Sequence, residues 1–162
     1  MAWVTLVDLP ANNRITQITQ TQRSLTELGL KKSSAKLLPV NSILISSRAT
    51  IGRIGIAKIP VATNQGFKNI VIKDFSKVDP VYLANTLTRK VDEMQRMGTG
   101  GTYKEISKSS FSKIKIPLPP LDVQNEIIEQ IEAKENSIKH AKEIIKNLER
   151  ERDAILASRL ES

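Results

Sequence analysis

The chain divides at the stretch Ile116-Pro117-Leu118-Pro119-Pro120-Leu121-Asp122-Val123-Gln124, where three prolines stand within four positions. Proline lacks a backbone N–H and holds the preceding residue extended, so a helix does not continue through such a stretch. No proline or glycine follows Pro120. The sequence therefore predicts a body over residues 1–116, a proline-rich junction over 117–121 and one long helix over 122–160, with Asp122 as its N-cap.

The predicted helix carries an apolar seam whose members are three or four residues apart. The seam residues are Ile127, Ile131, Ile138, Ala141, Ile145, Leu148 and Ile155, with Lys134 and Arg152 as polar breaks. This spacing is typical of a coiled coil. A helix of about 57 Å would extend beyond a body roughly 30 Å across. We therefore predict a partner helix, from a second copy or another protein, rather than packing against the chain's own body.

Charge separates the same two parts of the chain. Residues 1–116 hold 18 Lys/Arg and 7 Asp/Glu, a net charge of +11, whereas residues 117–162 hold 7 Lys/Arg and 10 Asp/Glu, a net charge of −3. A surface that only aids solubility normally mixes both signs. The basic body therefore favours a polyanionic partner, nucleic acid above all.

The composition excludes several classes of site. The chain has no cysteine and one histidine, His140, so it lacks the residues for zinc ribbons, disulfide scaffolds, thiol nucleophiles and Ser-His-Asp triads. Glu132-Ala133-Lys134 matches a fragment of a nuclease site, but it lies within the predicted helix. We predict no catalytic and no metal-binding residues. Neither a membrane span nor a secretory signal is visible, so we expect a cytoplasmic protein.

The body is predicted to consist of short strands and one helix. The predicted strands are Ser42–Ser46, Ile51–Ala57, Lys68–Lys73 and Ile114–Ile116, and the helix runs from Pro80 to Met97, where Gly98 ends it. The fold class is therefore α+β, with a small, mixed, β-rich body followed by one long coiled-coil helix.

Three polar loops of this body offer groups suited to DNA. Hydroxyls contact phosphate, arginine can hydrogen-bond guanine bidentately, and asparagine or glutamine can do the same with adenine. The loops span residues 46–53, 63–68 and 98–104, and the last is glycine-rich without the spacing of a phosphate-binding Walker loop. For each loop the alternative is a connector whose polar side chains face water. The candidate DNA-binding residues are Ser46, Ser47, Arg48, Thr50, Arg53, Asn64, Gln65, Lys68, Thr102, Tyr103 and Lys104.

Four stretches carry a family resemblance. They are Ser33-Ser34-Ala35-Lys36-Leu37-Leu38-Pro39, Ile45-Ser46-Ser47-Arg48-Ala49-Thr50-Ile51-Gly52, Ala62-Thr63-Asn64-Gln65-Gly66-Phe67-Lys68, and residues 100–111 followed by 116–127. In these stretches the chain resembles the specificity subunits of Type I restriction–modification systems. The resemblance runs from about Ile15 to Leu160, and the Pro-Pro-Leu-x-x-Gln junction before the heptad helix is its most specific part.

The resemblance implies a non-enzymatic role. Such subunits usually carry two target-recognition domains and two spacer helices, so this chain corresponds to a half-length subunit, and further strand-forming residues are expected before Met1. It would bind one half-site of a bipartite double-stranded DNA target and dock methyltransferase subunits, with a motor (restriction) subunit as a further partner. Its helix would pair with a second copy or with another specificity half-subunit. No cofactor is expected on this chain, whereas the partner subunits would use S-adenosylmethionine, ATP and Mg²⁺.

Two alternatives remain open at the level of sequence. The chain could be the recognition part of a related two-part methyltransferase–nuclease, in which the DNA role persists with different partners. It could also be a coiled-coil interaction protein whose basic body binds RNA shape. Sequence-preferring, salt-dependent duplex binding separates the first two hypotheses from the third.

Overall fold

A computed structural model describes residues 1–11 and 15–160. The strands are β1 (Ala2–Val4), β2 (Ile15–Ile18), β3 (Arg23–Ser24), β4 (Ile43–Ser46), β5 (Ile54–Ala57), β6 (Val61–Thr63) and β7 (Phe67–Ile70). The helices are a 3-10 turn (Leu6–Asp8), α1 (Glu27–Lys31), α2 (Pro80–Thr88), α3 (Val91–Met97), α4 (Lys108–Phe111) and α5 (Leu121–Leu160). The predicted α+β class is confirmed.

Two small mixed sheets form the body. One has the order β3-β1-β6, in which β1 is antiparallel to β3 and parallel to β6. The other has the order β2-β5-β4-β7, in which β5 is parallel to β2 and the remaining pairs are antiparallel. Because β4, β5 and β7 belong to one sheet, the loops that leave their ends lie close together.

The apolar core has two parts, and both include side chains of the four-stranded sheet. Alternate residues of β4 point to opposite faces. Ile43 and Ile45 pack with Leu83 and Leu87 of α2 and with Met94 of α3. Leu44 instead packs in the second part, whose buried members are Val4, Leu9, Ile18, Leu44, Ala57, Val61 and Phe67.

The predicted helix over residues 80–97 is two helices, α2 and α3. Asp79 caps α2 by accepting hydrogen bonds from the N–H groups of Val81 and Tyr82, at 2.7 and 3.0 Å. At its other end the N–H groups of Arg89 and Lys90 bond three residues back rather than four, which tightens and ends the helix. The expectation of one continuous helix is therefore wrong. The periodic apolar pattern continues across the break, so the pattern alone does not reveal it.

The structure contains three of the four predicted strands, but their first and last residues differ from the prediction. β4 lies within Ser42–Ser46 and β5 within Ile51–Ala57, but Ile51 and Gly52 form a turn, with Gly52 at φ 102°. β7 ends at Ile70 rather than Lys73. The predicted strand Ile114–Ile116 is absent, and the short helix α4 precedes that segment. Strands β1, β2, β3 and β6 were not predicted. Three of them have only two or three residues, and β2 pairs with the distant strand β5.

The proline-rich junction is fixed to the body by hydrogen bonds. The Tyr82 hydroxyl donates to the Pro117 carbonyl at 3.0 Å. The fully buried Gln124 donates to the carbonyls of Lys77 and Pro119 at 2.8 and 2.7 Å and accepts from the N–H of Asp79 at 3.0 Å. The chain accordingly divides into two compact units after Gln124. The helix begins at Leu121, so Asp122 lies in its first turn and is not the N-cap, contrary to the prediction.

The second unit is the remainder of α5, whose 40 residues form one uninterrupted helix. Of the predicted seam, Ile127 and Ile131 are half-buried, whereas Ile138, Ala141, Ile145, Leu148 and Ile155 are exposed. The central isoleucines are more than half exposed, Ile138 at 54% and Ile145 at 56%. Among residues 1–11 and 15–160, no helix is both long and apolar enough to cross a membrane.

Candidate nucleic-acid interface

The three polar loops singled out in the sequence meet at Ser47. The N–H of Ser47 donates to the carbonyl of Gly66 at 2.8 Å, and its carbonyl accepts from the N–H of Ile106 at 3.0 Å. The N–H of Ala49 donates to the carbonyl of Lys104 at 3.0 Å. Backbone hydrogen bonds therefore join the β4–β5 loop to the β6–β7 loop and to the glycine-rich loop. We call this three-loop surface the recognition surface.

The β4–β5 loop is shaped by its own side chains. The Ser46 hydroxyl donates to the Thr50 carbonyl and accepts from the N–H of Arg53. Ala49 has a positive φ of 61°, which places Arg48 at an exposed turn. Ser46 and Ser47 are buried, so their hydroxyls stabilise the loop and do not face solvent.

Arg53 ties the same loop to the N-terminal segment. Its Nη1 donates to the carbonyls of Leu9 and Leu6, at 2.9 and 3.3 Å. This guanidinium neutralises the carbonyl end of the 3-10 turn. Arg53 therefore acts as a positioning group in this structure, not as an outward-facing arginine.

The two ends of the glycine-rich loop pair with each other through their backbones. Thr99 and Glu105 exchange backbone hydrogen bonds at 3.0 and 2.9 Å. Gly100 has a φ of 127°, and a Cβ at this position would meet the Tyr103 carbonyl oxygen at 2.5 Å. Only glycine fits both constraints. The close turn leaves Thr102, Tyr103 and Lys104 exposed at the loop tip.

Lys68 lies under the recognition surface. Its ammonium donates to the Ser47 hydroxyl at 3.1 Å and pairs with Glu105 Oε1 at 3.3 Å. Only 16% of the Lys68 side chain is exposed. The ion pair joins β7 to the glycine-rich loop and offsets one positive charge. Glu105 was not identified from the sequence, because a lone acidic residue in a basic loop gives no pairing signal.

The β6–β7 loop presents two amides. Asn64 Oδ1 accepts from the N–H of Gly66 at 2.9 Å, which shapes the turn. The Asn64 amide nitrogen and the whole Gln65 amide have no hydrogen bond within the described part of the chain, and both residues are exposed. These amides are therefore available for base edges.

A shallow cleft of about 270 Å³ lies between the loops. Arg48 and Ala49 contribute from one loop, Asn64 and Gly66 from the second, and Tyr103 from the third. The outward-facing groups of the recognition surface are those of Arg48, Thr50, Asn64, Gln65, Thr102, Tyr103 and Lys104. Nine of the eleven candidate residues are exposed or half-buried, although Arg53 and Lys68 among them hydrogen-bond inward, and Ser46 and Ser47 are buried beneath the loops.

The Ser76 hydroxyl and backbone N–H and the Lys77 ammonium lower the pKa of Asp74, which lies in the loop before α2. Within residues 1–11 and 15–160, no three acidic or histidine side chains are grouped so that they could hold a metal ion.

The family model described as the Type I restriction modification DNA specificity domain matches residues 10–150. The chain belongs to this family. The match includes all three loops of the recognition surface, the junction and most of α5. The predicted family resemblance is therefore confirmed, and it favours a DNA-specificity role over the RNA-binding alternative.

Relatives of this specificity-domain chain are themselves specificity subunits. It is 34% identical over 125 residues to the Type I restriction enzyme MjaIX specificity subunit of Methanocaldococcus jannaschii, covering 77% of this chain and 29% of that protein. It is 29% identical over 121 residues to the HindI specificity subunit of Haemophilus influenzae, covering 74% and 26%. The chain thus spans less than a third of the length of these relatives.

Solved structures agree with the fold. The chain is similar to the crystal structure of the HsdS subunit from Thermoanaerobacter tengcongensis, with a TM-score of 0.53 and 26% identity over 65% of this chain and 26% of that one. The family is a specificity domain and not a catalytic one, which agrees with the prediction that this chain is not itself an enzyme.

Proposed function

We propose that the chain is the target-recognition half of a Type I specificity subunit and binds one half-site of a bipartite DNA target through the recognition surface. The observation that carries the proposal is the convergence of three loops, each rich in DNA-contacting groups, on Ser47. The exposed side chains of Arg48, Gln65 and Lys104 thereby belong to one surface.

The roles of the exposed residues follow from their chemistry. Arg48 can form a bidentate pair with guanine, and the amides of Asn64 and Gln65 suit the N6 and N7 atoms of adenine. Thr50, Thr102 and Lys104 suit phosphate oxygens. The buried Ser46 and Ser47 and the half-buried Lys68 act indirectly, because their hydrogen bonds hold the loops together.

Binding of duplex DNA is expected to fall steeply with salt. The body carries a net charge of +11 over residues 1–116. If about six phosphates are neutralised, a plot of log affinity against log salt concentration has a slope of about −5. Fluorescence anisotropy of a labelled duplex at several salt concentrations measures the slope. A slope near zero would contradict the electrostatic part of the proposal.

The variant Arg48→Ala is expected to lose sequence preference at one position of the half-site. Removing a bidentate arginine–guanine contact costs about 1–3 kcal/mol and relaxes preference at one position. The matched control is Arg150→Ala, which removes the same charge from an exposed position of α5. Competition of target against random duplex compares the two variants. Identical ratios for both variants would show that Arg48 is not a base contact.

The proposal also includes partners. The exposed seam of α5 would pair with the helix of a second copy or of another specificity half-subunit, and modification subunits would dock on the resulting assembly. We expect this assembly to form in the cytoplasm. The partner subunits, and not this chain, would supply the chemistry of S-adenosylmethionine, ATP and Mg²⁺.

A helix pair limits the spacing of the two half-sites. The 40 residues of α5 span about 60 Å, which corresponds to about 18 base pairs. A two-fold symmetric homodimer would bind a palindromic split site whose half-site centres lie within that distance. A series of duplexes with increasing spacers between inverted half-sites tests the limit. Equal affinity at all spacings would contradict the paired-helix arrangement.

A further inference from the structure

Residues 31–36, which we call the lysine segment, form a basic stretch outside the recognition surface. The segment reads Lys-Lys-Ser-Ser-Ala-Lys, and its three lysines and two serines are exposed. None of its ammonium groups forms an ion pair within the described residues. The segment belongs to a longer stretch, residues 28–73, that holds eight Lys/Arg and no Asp/Glu. Because a surface that only aids solubility normally mixes both signs, the lysine segment favours an anionic partner.

The lysine segment lies beside the recognition surface. A second cleft, of about 370 Å³, is lined by Ser33, Ser34 and Lys36 together with Asn64 and Gln65 of the β6–β7 loop. Among the described residues, none that lines this cleft is acidic. Lys36 and the two amide side chains assigned to base edges therefore share one cleft.

Hydrogen bonds hold the lysine segment in place. The Ser33 hydroxyl donates to the Leu30 carbonyl and accepts from the Ala35 N–H, both at 3.3 Å. Leu38, two residues beyond the segment, exchanges backbone hydrogen bonds with Val61 at 2.7 and 3.1 Å and packs against the buried core. A segment that is already ordered loses less conformational entropy when it binds a partner.

The polar groups that the lysine segment leaves unbonded are those that bind phosphate. Neither the hydroxyl nor the backbone N–H of Ser34 makes a hydrogen bond within the described chain, and the same is true of the Lys36 N–H. Hydroxyls, backbone N–H groups and lysines are common contacts to phosphate oxygens. Because rows of phosphates flank the base edges of the major groove, groups beside Asn64 and Gln65 lie where a phosphate row is expected.

We propose that the lysine segment binds phosphates of the DNA backbone that flank the half-site, and that it adds affinity without adding sequence preference. Ser34 and Lys36 contact the phosphate row nearest the second cleft, and Lys32, exposed at the end of α1, supplies a further charge. This inference rests on the proposed DNA-binding function.

The double variant K32A/K36A is expected to weaken the binding of every duplex alike. Each lost phosphate contact lowers the magnitude of the log–log salt slope by about 0.9, so the loss of two changes a slope of about −5 to about −3. The control K73A/K115A removes the same charge from exposed positions of the body that do not line the second cleft. It is expected to change the slope by less than about 0.5. Fluorescence anisotropy of a labelled random-sequence duplex measures both slopes.

Two further measurements separate a phosphate contact from a base contact and from a change in fold. K32R/K36R keeps both charges and is expected to keep the wild-type slope. In competition of target against random duplex, K32A/K36A is expected to keep the wild-type ratio of affinities, because phosphate contacts carry no sequence information. A variant with a disrupted fold would lose this ratio.

The outcomes also separate this inference from the proposed function. If K32A/K36A and K73A/K115A give the same slope, the lysine segment does not contact phosphate, while DNA binding stands. If K32A/K36A lowers the ratio of target to random affinity, the claim that the segment adds no sequence preference is wrong. If the wild type binds no duplex, the proposed function fails and this inference fails with it.

Discussion

The double variant I138D/I145D is expected to be monomeric at concentrations where the wild-type chain associates through its helix. Both isoleucines lie at the middle of the apolar seam and are more than half exposed in the single chain. Pairing of two helices would bury them, and a buried aspartate without a partner is strongly unfavourable. We expect the dissociation constant of the helix pair to rise at least about a thousandfold.

Light scattering at tens of micromolar measures the association. The control N136D/N147D adds the same two charges at exposed positions of α5 outside the seam, and it is expected to associate like the wild type. The double isoleucine variant should keep weak binding to a single half-site, because the recognition surface lies in the body, and lose its preference for a spaced palindrome. A wild-type chain that is monomeric without a partner subunit would exclude the homodimer and leave pairing with a different specificity half-subunit.

The variant Gln124→Met is expected to destabilise the body by about 3 kcal/mol. Methionine has a similar volume but neither donates nor accepts a strong hydrogen bond. The carbonyls of Lys77 and Pro119 and the N–H of Asp79 would then lose their partner. Because Asp79 also caps α2, the loss would reach the helix that packs on the four-stranded sheet.

Thermal unfolding measures this effect, with an expected fall in Tm of roughly 10 °C. Gln124→Glu should cost more, because an ionised carboxylate cannot donate to either carbonyl. Gln130→Met, at an exposed position of the same helix, is the matched control and should change Tm little. Equal Tm values for the variants at 124 and 130 would show that the hydrogen bonds of Gln124 do not stabilise the body.

The sequence predicted the long helix that follows the prolines because the physical signals there are local. A cluster of prolines stops a helix, and a seam repeated over more than three heptads specifies one. The hydrogen bonds of Gln124 could not be predicted, since its partners Lys77 and Asp79 are more than forty positions away. Gln124 belongs to the Pro-Pro-Leu-x-x-Gln motif of the junction, but only the fold shows which groups it bonds.

The candidate site was also predictable only in part: the residue types were informative, but the directions of the side chains depend on distant contacts. Residue types in the three loops indicated DNA contact, and Arg48, Gln65 and Lys104 do lie at the surface. Ser46 and Arg53 have equally suitable side chains, yet their hydrogen bonds hold the loop together. The direction of a side chain in a loop depends on which distant carbonyls lie near it, and a single sequence does not contain that information.

Selection from a random duplex library tests the central claim most directly, because it asks whether the recognition surface distinguishes sequences. The full-length chain and the triple variant R48A/Q65A/K104A are each used to enrich bound duplexes over several rounds. The account predicts that the wild type enriches one half-site motif, whereas the triple variant, with its supporting residues intact, enriches none. Enrichment of the same motif by both proteins, or of no motif by the wild type, would contradict the claim that these three loops determine DNA specificity.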